Sequence, residues 1–329
     1  MRALVLVALV ACGSSHGTSG DGNHGGGDGP PGDGRGDSGG ATGGDASPCM
    51  PSCQSGQWCA EDASLASTIN VLAVWAADDD HVFAVGDSGT IVLRRCTGWT
   101  AMTSGTTQTL TGVWAASASD AWAVGDAGTL LHYDGSSWTA TTGQTETFTA
   151  VWGSSGSDVW VVGDSGNVHH YDGSTWTPTA VGGTLLAISG SGPSDVWTTG
   201  EMSQVHHYTT SWGVPGAPDP AGDALYFAVL ARPGTVWVTS AISGKETLSS
   251  TDQGAHWTGH GTSTNVIQGL WARADDDMYG VASKKIGHWD GSNWTFAQPA
   301  GSSATLLGVT GTATDVYVVG TGATILHAD

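Results

Sequence analysis

One pattern recurs through this chain about every 39 residues, a period that marks stacked repeat units rather than a single closed core. It reads Val-Trp, a run of small residues, Asp-(Val/Ala)-Trp, Val-Gly-Asp-x-Gly, His-Tyr-Asp-Gly and Trp-Thr. Three copies are nearly unbroken, from Val74 to Thr100, Val113 to Thr139 and Val151 to Thr177. Each contains four short alternating runs, so each predicts one four-stranded sheet that buries its faces only by stacking on its neighbours. In the second copy Val113-Trp114-Ala115 is the expected inner strand, with Ala121 to Gly125, Thr129 to Tyr133 and Ser137 to Thr141 following outward. Asp126-Ala127-Gly128 and Asp134-Gly135 supply the turns. Trp122 and Val124 point to one face of the second strand and Ala121 and Ala123 to the other, so large side chains lie against small ones on the adjoining sheet.

The unit predicted is a propeller blade, and the aromatic positions count the blades. The second-strand aromatic recurs at Phe83, Trp122, Trp160, Trp197, Trp237, Tyr279 and Tyr317, the outer-strand Trp at Trp99, Trp138, Trp176, Trp212, Trp257 and Trp294. The last repeat stops at Asp329 after three strands, and the Gly-x-Trp of Ser55 to Ala63, with Trp58, supplies the missing outer strand. The fold class expected is therefore all-β, a seven-bladed β-propeller over residues 49–329 with an N-terminal strand closing the last blade.

The formal charge is -21, with nine Lys plus Arg. Nucleic acid is an unfitting partner, because phosphate neutralisation needs clustered cations. All 16 Trp fall between Trp58 and Trp294, which sets the first 48 residues apart. Met1-Arg2 and the apolar run Ala3 to Ala11, too short to span a bilayer, read as a signal peptide over residues 1–11. Leu9-Val10-Ala11-Cys12 resembles a bacterial lipobox, which implies cleavage before Cys12 and its lipidation, with Gly13 favouring the outer membrane. Residues 12–48 are expected to be the lipidated Cys and a disordered tether: Gly13 to Pro48 holds fifteen Gly and no aromatic residue. As a flexible coil it reaches about 33 Å. Four cysteines remain, Cys49, Cys53, Cys59 and Cys96, an even number for an exported chain. The expected bridge joins Cys96 to one of the other three, next to the ring closure.

The repeats resemble those of bacterial WD-repeat, YVTN and BNR (Asp-box) propellers, and within that class the photosystem II assembly-factor-like and sialidase-type repeats. Ser250-x-Asp252-x-Gly254-x-x-Trp257 matches the Asp-box in full, and Asp134-Gly135-x-x-Trp138, Asp172-Gly173-x-x-Trp176 and Asp290-Gly291-x-x-Trp294 are reduced versions. The resemblance implies that this element is a structural turn at the periphery. It also implies, for a sialidase, three arginines and a Tyr-Glu pair. Arg94, Arg95, Arg232 and Arg273 do not stand where that pattern requires them, so no catalytic set is expected.

Two repeated polar registers are candidates for function. His132, His170, His207, His288 and His327 share one position of the third strand; equivalent positions in different blades lie about 10 Å or more apart, too far for shared metal ligation, so a structural role is expected. Asp87, Asp126, Asp164 and Glu201 follow the second strand in four consecutive blades. They read either as turn-stabilising side chains or as an acidic arc that recruits a cation or a basic partner. Asp78 to Asp80 and Asp275 to Asp277 are expected to be solvated turn acids.

No cofactor or metal is expected. The function expected is non-catalytic: a monomeric, membrane-tethered binding or scaffold propeller of the bacterial cell envelope, with an envelope protein or glycan as ligand and the lipid anchor as its membrane contact. A glycan-active enzyme on the same fold and a purely structural envelope protein are the alternatives.

Overall fold

The computed structural model describes residues 56–218, 224–242, 244, 246–261 and 265–329, together with the backbone of Ala11–Cys12. It is a ring of seven antiparallel blades, each running from an inner to an outer strand. Blade one is built from Val71–Ala76, Val82–Gly86, Ile91–Arg95 and Gly98–Met102. Blade two comprises Leu110–Ser117, Asp120–Gly125, Leu130–Tyr133 and Trp138–Ala140. Blade three repeats it with Phe148–Ser155, Asp158–Gly163, Asn167–Tyr171 and Trp176–Ala180. Blades four to six begin with the inner strands Leu185–Gly192, Tyr226–Arg232 and Gly269–Ala274. Blade seven has Leu306–Gly311, Val316–Gly320 and Thr324–Ala328 from the C-terminal repeat. Each inner strand packs on the next, and the inner strands of blades seven and one complete the circle.

The outer strand of blade seven is the N-terminal Cys59–Ala60, with Cys59 opposite His327 and Ala60 opposite Leu326. The expected closure is therefore present, in a pairing only two residues long. Side chains extend it over three blades. Trp58 meets Tyr279 of blade six edge-on at 6.4 Å. The Glu61 carboxylate accepts from the Trp99 indole of blade one and lies 3.4 Å from Arg94 Nε, and Glu61 N donates to Ile325 O in blade seven. A second segment, Ala11–Cys12, runs parallel to Trp271–Ala272 along the inner strand of blade six. Residues 1–10 and 13–55, which hold most of the expected signal peptide and tether and also Cys49 and Cys53, lie outside the described residues.

The alternation read from the sequence shows why blades stack. Inner-strand Trp rings reach onto glycines of the following blade: a Cβ at Gly153 would lie 2.7 Å from Trp114 Cη2, one at Gly190 2.4 Å from Trp152 Cη2, and one at Gly311 2.7 Å from Trp271 Cη2. Inner-strand hydroxyls add cross-blade hydrogen bonds, Thr111 Oγ1 to Phe148 O and Thr149 Oγ1 to Leu185 O, both 2.8 Å. Second-strand rings meet the outer half of the next blade. Trp122 packs on Tyr171 and Trp176, and Trp160 on Tyr208 and Trp212, at 4.8–5.7 Å. Each such pair contributes roughly 0.5–1.5 kcal/mol beyond the area it buries.

Trp58→Ala is expected to lower the melting temperature, since a large-to-small change at a packed aromatic costs about 3–5 kcal/mol when fully buried and Trp58 is partly so. A chain starting at Ile69 should melt lower still; one that melts as high as the intact chain would contradict the closure.

Candidate functional site

The rim where second strands turn into third strands is built by one repeated device. In blades one to four and seven the second strand ends in a glycine because the chain leading into the inner strand crosses directly beneath it: a Cβ at Gly125 would lie 2.0 Å from Thr109 O. The next residue is then held by its own amide. Asp87 N donates to Asn70 O, Asp126 N to Thr109 O and Asp164 N to Thr147 O at 3.0 Å each, and Glu201 N to Thr184 O at 3.1 Å. In three of these turns the residue after the acid is left-handed although it is not glycine, with φ of 57° at Ser88, 52° at Ala127 and 55° at Met202. Four acids of successive blades thus stand on one rim.

They are not equivalent. Asp87 Oδ2 accepts from Asn70 N and Nδ2 at 3.0 and 2.8 Å, and Asp164 Oδ1 from Thr147 N at 3.2 Å. These two serve their turns. Asp126 stands between them and its pKa is raised, by burial first and then by the Asp164 and Asp87 charges on either side. The structure therefore couples Asp87, Asp126 and Asp164 through space; Glu201 is not among the groups that act on Asp126. Its turn carries Met202, 77 % exposed, at the edge of the arc. In blade six the corresponding turn, Ser283 with φ 53°, leads into the exposed Lys284 and Lys285. The rim is consequently acidic over blades one to four and cationic at blade six, a polarity the repeat pattern alone does not reveal.

The five histidines have partners that the sequence reading left out. The aspartate that opens each second strand faces the histidine of the third: His132 Nε2–Asp120 at 2.9 Å, His170–Asp158 at 2.6 Å, His207–Asp195 at 2.8 Å, His288–Asp277 at 2.9 Å and His327–Asp315 at 2.8 Å. Each imidazole also lies on the second-strand aromatic, as close as 3.7 Å and 11° for His170 on Trp160. Burial works against the Asp158 and Asp195 anions, but hydrogen bonds from the paired histidine and a nearby serine outweigh it and hold both pKa values below the usual range. The signal was present in the sequence, since Asp opens the Asp-x-Trp motif and His follows it by 12 residues in four blades and 11 in blade six. Asp277 is accordingly no solvated turn acid: it binds both His288 and Arg273 Nη1, the latter at 2.7 Å. His81–Asp78 similarly occupies part of the blade-one run.

At the Asp-box, Ser250 Oγ donates to Asp252 Oδ1 at 2.8 Å, Gly254 N donates to Ser250 Oγ at 2.9 Å, and Trp257 Nε1 donates to Gly216 O at 2.8 Å. The His256 amide and ring, with Ser250, lower the Asp252 pKa to about 2. Asp134, with its backbone and serine donors, lies at about 2 as well. These elements are turns between third and outer strands, whereas the rim acids follow the second strands. Cys59 lies in the closing strand and Cys96 between the third and outer strands of blade one.

No family model matches the sequence, and no curated protein matches it at the sequence level. Solved structures do match in fold. YCF48 bound to D1 peptide superposes with a TM-score of 0.68 at 14% identity, covering 85% of this chain and 99% of that one. Virginiamycin B lyase from Staphylococcus aureus gives 0.72 at 12%, covering 83% and 99%. The WD40 propeller domain of Doa1 gives 0.68 at 11%, covering 79% and 92%. Such identities establish the architecture, the seven-bladed β-propeller.

Because the folded pKa of Asp126 lies above its ordinary value, the ionised carboxylate works against folding at neutral pH, and that penalty fades as pH falls through the raised pKa towards about 4. Asp126→Asn is expected to melt at or above the wild-type temperature at pH 7, the difference closing near pH 4 in scanning calorimetry. A drop of several degrees at pH 7 would instead make Asp126 a turn residue only.

Proposed function

We propose that this chain is a membrane-tethered binding propeller of the bacterial cell envelope whose acidic rim takes a basic, extended segment of a partner protein. The observation that carries the reading is the placement of Asp87, Asp126 and Asp164 on successive blades of one rim, with the Asp126 pKa raised by burial and by its two neighbours; neighbouring carboxylates make a surface that favours positive charge. Exposed Met202 offers an apolar contact at the edge of the same arc. Lys284 and Lys285 at blade six would orient a ligand that is basic at one end. The YCF48 structure, a propeller of this shape holding a peptide, supports a protein ligand over a glycan.

A raised acid beside other carboxylates is also what a glycan-active enzyme would use, and a lyase stands among the similar folds. The binding reading is preferred because the three coupled acids sit on adjacent blades of one rim, where they form a surface for positive charge. At the closure, a bridge between Cys59 of the closing strand and Cys96 of blade one would staple the seam and would suit an oxidising compartment. For the anchor, the support is the lipobox around Cys12 and the long glycine-rich segment behind it.

Fluorescence anisotropy with labelled Lys/Arg-rich, Glu-rich and neutral peptides tests the rim. Selective binding of the basic peptides, weakened by salt and at least about tenfold by the combined Asp87, Asp126 and Asp164→Asn change, is expected. Binding indifferent to these substitutions, or turnover of envelope glycans that Asp126→Asn abolishes, would replace this reading. Labelling of growing cells with a fatty-acid analogue tests the anchor: wild type should be labelled and Cys12→Ala not.

A further inference from the structure

Blade seven holds something its sister blades do not. In blades two, three and six an aspartate stands two residues after the third-strand histidine, but Asp134, Asp172 and Asp290 are taken up by the following turn, each Oδ1 accepting from two backbone amides. The residue in that register of blade seven, Asp329, instead brings Oδ1 to 3.5 Å from His327 Nε2, which Asp315 Oδ1 approaches to 2.8 Å. One ligand atom of each lies within 4.8 Å of the others, the sole such set among the described residues.

The setting also differs. The His327 side chain is 1% exposed, against 10–44% for its four counterparts. Beneath it the Tyr317 ring stacks at 4.9 Å, fully buried, with a hydroxyl that has no hydrogen-bond partner among the described residues. On the other side of the imidazole, Glu61 Oε1 lies 3.9 Å from Nδ1. The local cation, Arg94, is engaged by Glu61, which leaves two carboxylates facing one imidazole nitrogen.

We propose that Asp315, His327 and Asp329 form a site for a divalent cation of the zinc class, placed at the seam of the ring. One imidazole nitrogen and two carboxylate oxygens suit a borderline metal bound at about 2.0–2.2 Å, with a fourth position left for water. Tetrahedral ligands at that distance stand roughly 3.3 Å apart, near the 2.8 and 3.5 Å found. Glu61, 3.9 Å from Nδ1 and adjoining the N-terminal closing strand, is the carboxylate on the side of the imidazole away from the metal, where metal-bound histidines commonly face one. Sharing between blades is not required, because all three ligands belong to blade seven.

The test uses the full chain, stripped with a chelator and titrated with zinc chloride at pH 7 by calorimetry and by melting. A zinc-dependent rise in melting temperature is expected. Asp329→Asn should weaken zinc binding about tenfold or more while leaving the metal-free melting temperature unchanged, since Asp329 is 39% exposed. His288→Gln, the corresponding change in blade six, should keep the wild-type zinc response. Absence of any zinc-dependent rise in the wild type, or a rise that Asp329→Asn retains, overturns the site; zinc held by histidines elsewhere on the chain gives that second result.

Discussion

The structure rests on an unequal contact repeated around a ring: a large ring system on one blade set against a residue with little or no side chain on the next. Trp114, Trp152 and Trp271 each occupy the space a Cβ would fill at Gly153, Gly190 and Gly311. The inequality gives each blade a direction. A sheet with the same residues on both faces would stack at any register, whereas a face of tryptophans against a face of glycines and alanines admits one. The same rule accounts for a composition rich in both tryptophan, with 16 residues, and glycine, with 52.

Where the strict pattern lapses, a different side chain fills the place. Blade one has Leu93 where five blades carry histidine, and Phe83 where most carry tryptophan; Phe83 then packs on Tyr133 and Trp138 of blade two at 5.8 and 6.1 Å. Blade five has Ser249 in the histidine register, and His260 from its outer strand both bonds Ser249 Oγ at 2.9 Å and lies 4.7 Å from Trp237. The Asp–His–aromatic unit is thus a packing module with a hydrogen-bonded edge: the imidazole covers the indole while the carboxylate keeps the imidazole in place.

Strand count, blade count and the closing role of the N-terminal segment were legible because they depend on near neighbours in sequence, on alternation and on turn residues at fixed offsets. The acidic arc was legible as a register. What it does electrostatically was not, because Asp87, Asp126 and Asp164 meet only across blades, about 39 residues apart along the chain. The histidine partners were missed for a different reason. Their aspartates stand beside tryptophans whose packing role explained the motif completely, so the carboxylate seemed to need no further account. The Glu61 contacts with Arg94 and Trp99 had no signal at all, since a single acid in a unique segment has no register to compare.

The closing strand is also the link between the ring and the chain that precedes it. Any pull applied through the residues before Trp58 acts on Cys59 and Ala60 before it reaches a complete blade. It acts along a pairing of two residues, backed by the Glu61 contacts and the Trp58–Tyr279 edge. The seam therefore takes the load first and hands it to three blades at once, through strand pairing to blade seven, Trp58 to blade six and Glu61 to blade one.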